Sequence, residues 1–214
     1  MHAATLARPI EINSAPMVAP PGRGEEGHRP LTVYIAGNEI YGPGDEANGH
    51  YHIAFGAVRI YRLLADGRRQ ISAFHMAGES FGLEPGDRHQ FFAEAVCATG
   101  LRKVRTLPAL ESMQGLLQLA LEGMMRAQQH LLVVGRQNAT ERIGAFLLDM
   151  VERQGGLPQI ELPMSRQDIG DYLGLTIETV SRTLSKLREK GVIKFHGLRS
   201  VEVCKPSLLE AICQ

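Results

Sequence analysis

The chain has 214 residues, 23 basic and 23 acidic side chains, a formal net charge of zero and 44% hydrophobic residues. That length allows one large domain or two small ones, and the apolar share is that of a folded chain, not a disordered one. The longest clean apolar run, Leu131–Val134, is far too short to span a membrane, and no secretory signal is legible. Cys97, Cys204 and Cys213 form no close pair, which argues against a disulfide framework or a Cys-rich zinc site. A cytoplasmic protein without membrane contact is expected.

Residues 1–28 are rich in Ala, Pro and Gly, lack apolar periodicity and read as a flexible tail. From 29 to 106 short apolar runs are cut by glycines. Tyr51, Ile53 and Phe55 alternate, as do Val58 and Ile60, which is strand periodicity. Asp66–Gly67 separates Ile60–Leu63 from Gln70–Phe74 and signals a hairpin, because glycine accepts the positive φ such a turn needs. An all-β first domain of the roll or sandwich kind is expected.

A long helix over 107–136 follows. Leu110, Met113, Leu117, Ala120, Met124, Ala127, Leu131 and Val134 recur at steps of three and four, a heptad seam that must be buried. The helix's own domain is one possible cover. A second copy across a two-fold axis suits it better, because Leu116, Leu121, Met125 and Leu132 flank the seam on other faces. From about Thr140 another helix carries Ile143, Phe146, Leu147, Met150 and Val151, and it ends at Gly155–Gly156.

The rest of 137–214 holds the most specific pattern. Ser165 suits an N-cap before a helix with Ile169, Tyr172 and Leu173, and Gly174 can take the left-handed turn that ends it. Leu175 then points inward, and Thr176 caps a second helix bearing Val180, Leu184 and Leu187. Small Gly170 lets the two helices approach. The spacing as a whole is that of a helix-turn-helix. On the second helix Glu178, Ser181 and Arg182 share a face at i, i+3 and i+4, with Ile177 beside them. Arginine can grip guanine bidentately and glutamate can accept from cytosine, so these are the candidate base-reading residues. A plain Glu178–Arg182 surface ion pair is the simpler alternative.

Between Thr176 and Arg199 stand Arg182, Lys186, Arg188, Lys190, Lys194 and Arg199 against only Glu178 and Glu189. A neutral chain needs such a local patch to hold a polyanion. Ser165, Gln167, Thr176, Thr179, Lys186 and Arg199 are the candidate phosphate contacts. Val192–Phe195 and Ser200–Val203, around His196–Gly197, read as a hairpin wing whose tip reaches the backbone.

The run Leu162–Arg182 resembles the DNA-binding domain of the cyclic-AMP receptor protein and fumarate-nitrate reduction regulator (CRP/FNR) family. The stretches Gly56–Tyr61, Asp66–Ile71 and Gly78–Glu84 resemble that family's glycine-punctuated β-roll. The likeness covers about residues 30–205 and is strongest to the FixK branch. It implies an α+β chain: a β-roll (jelly-roll-like) sensor-like domain, a dimerisation helix and a winged helix-turn-helix. It also implies a homodimeric transcription regulator, mostly an activator of microaerobic and nitrogen-fixation genes. Such a protein binds a palindromic TTGAT-N4-ATCAA-like operator in double-stranded DNA and works with RNA polymerase.

No cofactor is expected. Where the resemblance places an Arg-Ser pair for a cyclic phosphate, this chain has His89 and Gln90, and no cysteine precedes Cys97 to build an iron–sulfur cluster. Cys97 and Cys204 read as small buried apolar residues. Gly44, His50, His52 and His89 match part of a cupin metal motif, so a metal-binding barrel or enzyme is the alternative. The carboxylate expected after His52 is missing, however, with Gly56 and Ala57 in its place. In the plainer reading Tyr51, Ile53 and Phe55 face the core while His50 and His52 face solvent. The expectation is therefore no metal and no enzyme.

Overall fold

The computed structural model describes residues 10–11, 30–104 and 110–213, with side chains given for 30–104 and 114–213. Apart from Ile10–Glu11, the expected tail lies outside the described residues, as do the side chains of Leu110 and Met113. Chain contacts divide the molecule into two units, residues 1–61 with 74–120 and residues 62–73 with 121–214. The fold is α+β.

The first unit holds antiparallel strands β1 (Ile10–Glu11), β2 (Leu31–Tyr34), β3 (Glu39–Tyr41), β4 (His50–Phe55), β5 (Ala57–Leu63), β6 (Arg69–Met76), β7 (Ser80–Phe81), β8 (Phe92–Ala95) and β9 (Thr99–Val104), with β5 and β6 running on into the second. They form two sheets, ordered β1-β2-β9-β4-β7 and β3-β8-β5-β6. Part of the expected tail is therefore a strand, since Ile10 and Glu11 pair with Val33 and Thr32. Tyr51, Ile53, Phe81 and Leu101 from one sheet meet Tyr41, Val58 and Ala93 from the other in a single apolar cluster. Alternation along each strand supplies this sandwich.

Phe55 departs from the alternation and is 42% exposed. The β4–β9 register shifts between Ile53 and Phe55, and the Phe55 ring lies where a Cβ on Gly100 would stand. A bulge has turned the ring out of the core. His50 and His52 are half-buried, not solvent-facing, and His52 Nδ1 lies 3.4 Å from Ser80 Oγ. Asp66–Gly67 does make the β5–β6 turn, with Gly67 at φ 81° and the Arg68 N–H donating to Asp66.

The second unit begins along helix α1 (Leu110–Val134), which crosses the division between the units. It continues through α2 (Ala139–Arg153), β10 (Gln159–Glu161), α3 (Arg166–Leu173), α4 (Ile177–Glu189), β11 (Ile193–Phe195), β12 (Ser200–Val203) and α5 (Pro206–Ile212). The wing is three-stranded, ordered β10-β12-β11. Ile143, Phe146, Leu147 and Met150 of α2 are buried together with Val180, Leu184 and Leu187 of α4 and Leu209 of α5. Gly144 permits the α2–α5 contact, because a Cβ there would stand 2.8 Å from Cys213 Sγ. Cys204 is exposed, contrary to expectation. It follows buried Val203 along the chain and so faces the other way.

Thr99 is the main buried polar group of the first unit's sheets. Fully buried, its hydroxyl accepts from the Ala57 N–H at 3.2 Å and lies 3.0 and 2.8 Å from the carbonyls of Ala57 and Cys97. Thr99→Val keeps the shape but takes the hydroxyl acceptor from the buried Ala57 N–H, which costs about 1–3 kcal/mol. Urea unfolding should show a lower midpoint with an unchanged slope; an unchanged midpoint would mean that this hydroxyl contributes nothing.

Candidate nucleic-acid interface

The interface is built by α3, the turn after it and α4. Ser165 caps α3 in a reciprocal box: the Asp168 N–H donates to Ser165 Oγ, and Ser165 N–H and hydroxyl donate to the Asp168 carboxylate at 3.0 and 2.8 Å. Gly174 ends α3 at φ 66°, and the Leu175 N–H returns to the Gly170 carbonyl. A Cβ on Gly170 would sit 2.6 Å from the Leu175 carbonyl oxygen. The absent side chain is what lets the turn close. Leu175 is half-buried, less inward than the pattern predicts.

Thr176 caps α4 by accepting from the Thr179 N–H at 3.3 Å. Val180, Thr183, Leu184 and Leu187 bury one face of α4, and Glu178, Ser181 and Arg182 rise from the opposite one. Glu178 and Arg182 are exposed, Ser181 is half-buried and Ile177 is 39% exposed. The structure thus brings the four candidate base-reading residues to the N-terminal half of one free helix face. Glu178's own backbone N–H, and then the Thr176 hydroxyl, hold its carboxyl below the usual range, with Arg182 adding to the effect. The group is a carboxylate at neutral pH, able only to accept.

The candidate phosphate contacts divide in two. Lys186 and Arg199 stand exposed, as do Arg182, Arg188, Lys190 and Lys194, so α4 and the wing both present cations to solvent. Ser165 and Thr176 spend their hydroxyls on capping, Thr179 lies 3.1 Å from Thr176 Oγ1, and Gln167 donates to Asp171 at 2.6 Å. At the wing tip Leu198 is fully exposed.

Sequence reasoning missed Arg69, whose guanidinium lies 2.5 Å from an oxygen of Asp168 and 2.9 Å from one of Asp171. The partners are 99 and 102 residues apart, and no local pattern announces such a pair. The long-helix seam is also open. Leu117, Met124 and Leu131 are 61, 51 and 72% exposed, Ala120 and Ala127 are exposed and Val134 is half-buried, so the described residues do not cover this part of the stripe.

His89 and Gln90, where the family resemblance places a pair for a cyclic phosphate, are both engaged by Glu84. His89, buried, stacks on Tyr41 with ring centroids 3.5 Å apart and lies 2.9 Å from Glu84, which also takes the Gln90 N–H. A phosphate there would meet a carboxylate, where it needs a fixed cation. Among the described residues no group of three His, Cys, Asp or Glu side chains can hold a metal ion, and no helix is long and apolar enough to cross a membrane.

Comparison with known proteins gives two family matches: a Crp-like helix-turn-helix domain at residues 141–212 and a cyclic nucleotide-binding domain at 31–108. The nitrogen fixation regulation protein FixK of Rhizobium meliloti is 51% identical over 218 residues, covering 100% of both chains. The protein of the same description from Azorhizobium caulinodans is 44% identical over 79% of this chain and 73% of its own. The solved structure of FixK2 from Bradyrhizobium japonicum superposes with a TM-score of 0.81 at 40% identity, covering 86% of this chain and 96% of that one. These likenesses do not favour a cupin.

The Gly170–Leu175 contact can be tested directly. Exchanging a helical glycine for alanine normally stabilises by about 1 kcal/mol. Here Gly170→Ala should instead lower the thermal midpoint, because the new methyl presses on backbone. A raised midpoint in a differential scan would show that the turn has room to spare.

Proposed function

The chain belongs to the CRP/FNR family, and we propose that it works as a homodimeric, sequence-specific transcription regulator, mostly an activator, of microaerobic and nitrogen-fixation genes. The observation that carries the reading is the free, base-compatible face of α4 beside an exposed cationic surface on an otherwise neutral chain. In this reading α4 lies in the major groove and Glu178, Ser181 and Arg182 meet base edges, with Ile177 against them. Lys186 and Arg199 hold phosphates, and Gln167 and Thr179 offer shorter contacts at the helix starts, where Ser165 and Thr176 act as caps.

The exposed seam of α1 supports pairing with a second copy, and two-fold symmetry makes the operator palindromic, of the TTGAT-N4-ATCAA kind. The two half-sites lie roughly 34 Å apart, one turn of the duplex. RNA polymerase is the expected partner at the promoter and the cytoplasm the expected place of action. The carboxylate of Glu84 beside His89 and Gln90 supports binding without cyclic AMP, and the absence of any cysteine before Cys97 supports binding without an iron–sulfur cluster.

Selection from a random DNA pool by purified protein, with no ligand added, should enrich one palindrome; enrichment of none would overturn the reading. On that palindrome Arg182→Ala should cost about 1–3 kcal/mol at one base pair and relax discrimination there. Lys186→Ala should weaken selected and scrambled duplexes alike and flatten the salt dependence by about one charge. Equal losses on both duplexes for Arg182→Ala would make Arg182 a backbone contact.

Dimerisation has its own test. Met124→Asp places a charge in the apolar seam and should give a monomer by sedimentation with weakened operator binding. A persistent dimer would put the interface elsewhere.

A further inference from the structure

Arg69 sits on β6 just past the hairpin turn, and the segment 62–73 belongs to the same unit as the helix-turn-helix. Its guanidinium forks onto two carboxylates one turn apart on α3: Nη2 lies 2.5 Å from Asp168 Oδ1 and 2.9 Å from Asp171 Oδ2, and Nε lies 3.1 Å from Asp171 Oδ2. The side chains of Asp168 and Asp171 are only 5 and 13% exposed, and that of Arg69 is 23% exposed. Such a bidentate, mostly desolvated arrangement is geometrically demanding.

Neither carboxylate depends on Arg69 for a partner. Asp168 holds the Ser165 cap, and Asp171 accepts from Gln167. Helix α3 can therefore form without the arginine. What Arg69 adds is a tie between the hairpin and α3.

A second attachment runs alongside. The ring of His130, on α1, stacks on Tyr172 of α3 with centroids 3.9 Å apart, and its Nε2 donates to the Tyr172 carbonyl at 2.8 Å. The Ser72 backbone, on the hairpin, is another hydrogen-bond partner of the same ring. The hairpin does not cover the reading helix, however. A cleft of about 590 Å³, lined by Leu64, Arg68, Gln167, Thr176 and Glu178 among others, keeps the start of α4 open.

We propose that Arg69 is a positioning residue for DNA recognition: by gripping Asp168 and Asp171 it holds the α3–α4 pair against the β5–β6 hairpin, so that α4 meets the groove already oriented. The inference rests on α4 being the reading helix. Without the grip α3 and α4 stay folded but swing more freely, and binding must then bear the cost of ordering them.

The test uses the full-length protein and the palindrome it selects. Arg69→Met keeps the apolar stem and removes the fork, and it should weaken operator binding about tenfold with the far-ultraviolet circular dichroism unchanged. Asp171→Asn should give a similar loss, and the double variant no more than either single one. Arg69→Lys should recover part of the affinity. The slope of log affinity against log salt should stay that of the parent; a slope smaller by about one charge would make Arg69 a phosphate contact and overturn the proposal. Should Arg69→Met fail to fold, Asp171→Asn carries the same expectation. Parent binding with unchanged affinity in both variants overturns this inference alone. A parent protein that selects no palindrome overturns the reading of α4, and this inference with it.

Discussion

The recognition surface depends on one close approach, the seating of the Leu175 carbonyl where a side chain on residue 170 would otherwise be. It sets how tightly the chain can turn from α3 into α4, and so which face of α4 is left outside. With the turn closed by Gly174 in the left-handed region, Val180, Leu184 and Leu187 reach the core formed with α2. Three apolar anchors at helical spacing then fix the rotation of α4 about its axis. Glu178, Ser181 and Arg182 face outward as a consequence. Their exposure follows from burial on the other side.

Charge is arranged to the same end. A chain with no net charge has no long-range pull on a polyanion, so the field must come from segregation. The cations of α4 and the wing stand in water. Two carboxylates of the preceding helix α3, Asp168 and Asp171, are mostly buried and share the single guanidinium of Arg69. In the proposed reading the arginine offsets one of these two negative charges as well as tying α3 down.

Whatever depends on local pattern was legible in the sequence. The Ser165 and Thr176 caps, the Gly174 stop, the Asp66–Gly67 turn and the buried face of α4 follow from residue type and spacing alone, because each is set within one or two helical turns or one hairpin. Features set by distant partners were not legible. Phe55 keeps the period of its strand, yet it is turned out by a register shift against β9, some 45 residues on. Strand β10 is three residues with one buried side chain, too short to show a period. Cys204 is apolar by type, but its face is decided by where β12 ends. The Arg69 grip joins segments about a hundred residues apart, and neither segment signals the other. In the interface, the residues that touch DNA in the proposed reading were legible and the one that positions them was not.

The seam of α1 shows how exposure in a single chain can itself be informative. Leu117, Met124 and Leu131, with Leu121, Met125 and Leu132 beside them, leave roughly half to three-quarters of each side chain in water. Fully burying one such residue is worth about 1.5–3 kcal/mol, whereas association costs about 4–15 kcal/mol before any gain appears. One or two leucines could not meet that cost. A seam of such residues repeated along two helices can, even if each is only partly covered. In the proposed reading the stripe is long enough to hold a dimer, and a two-fold pairing along it would present two copies of α4 to a palindrome.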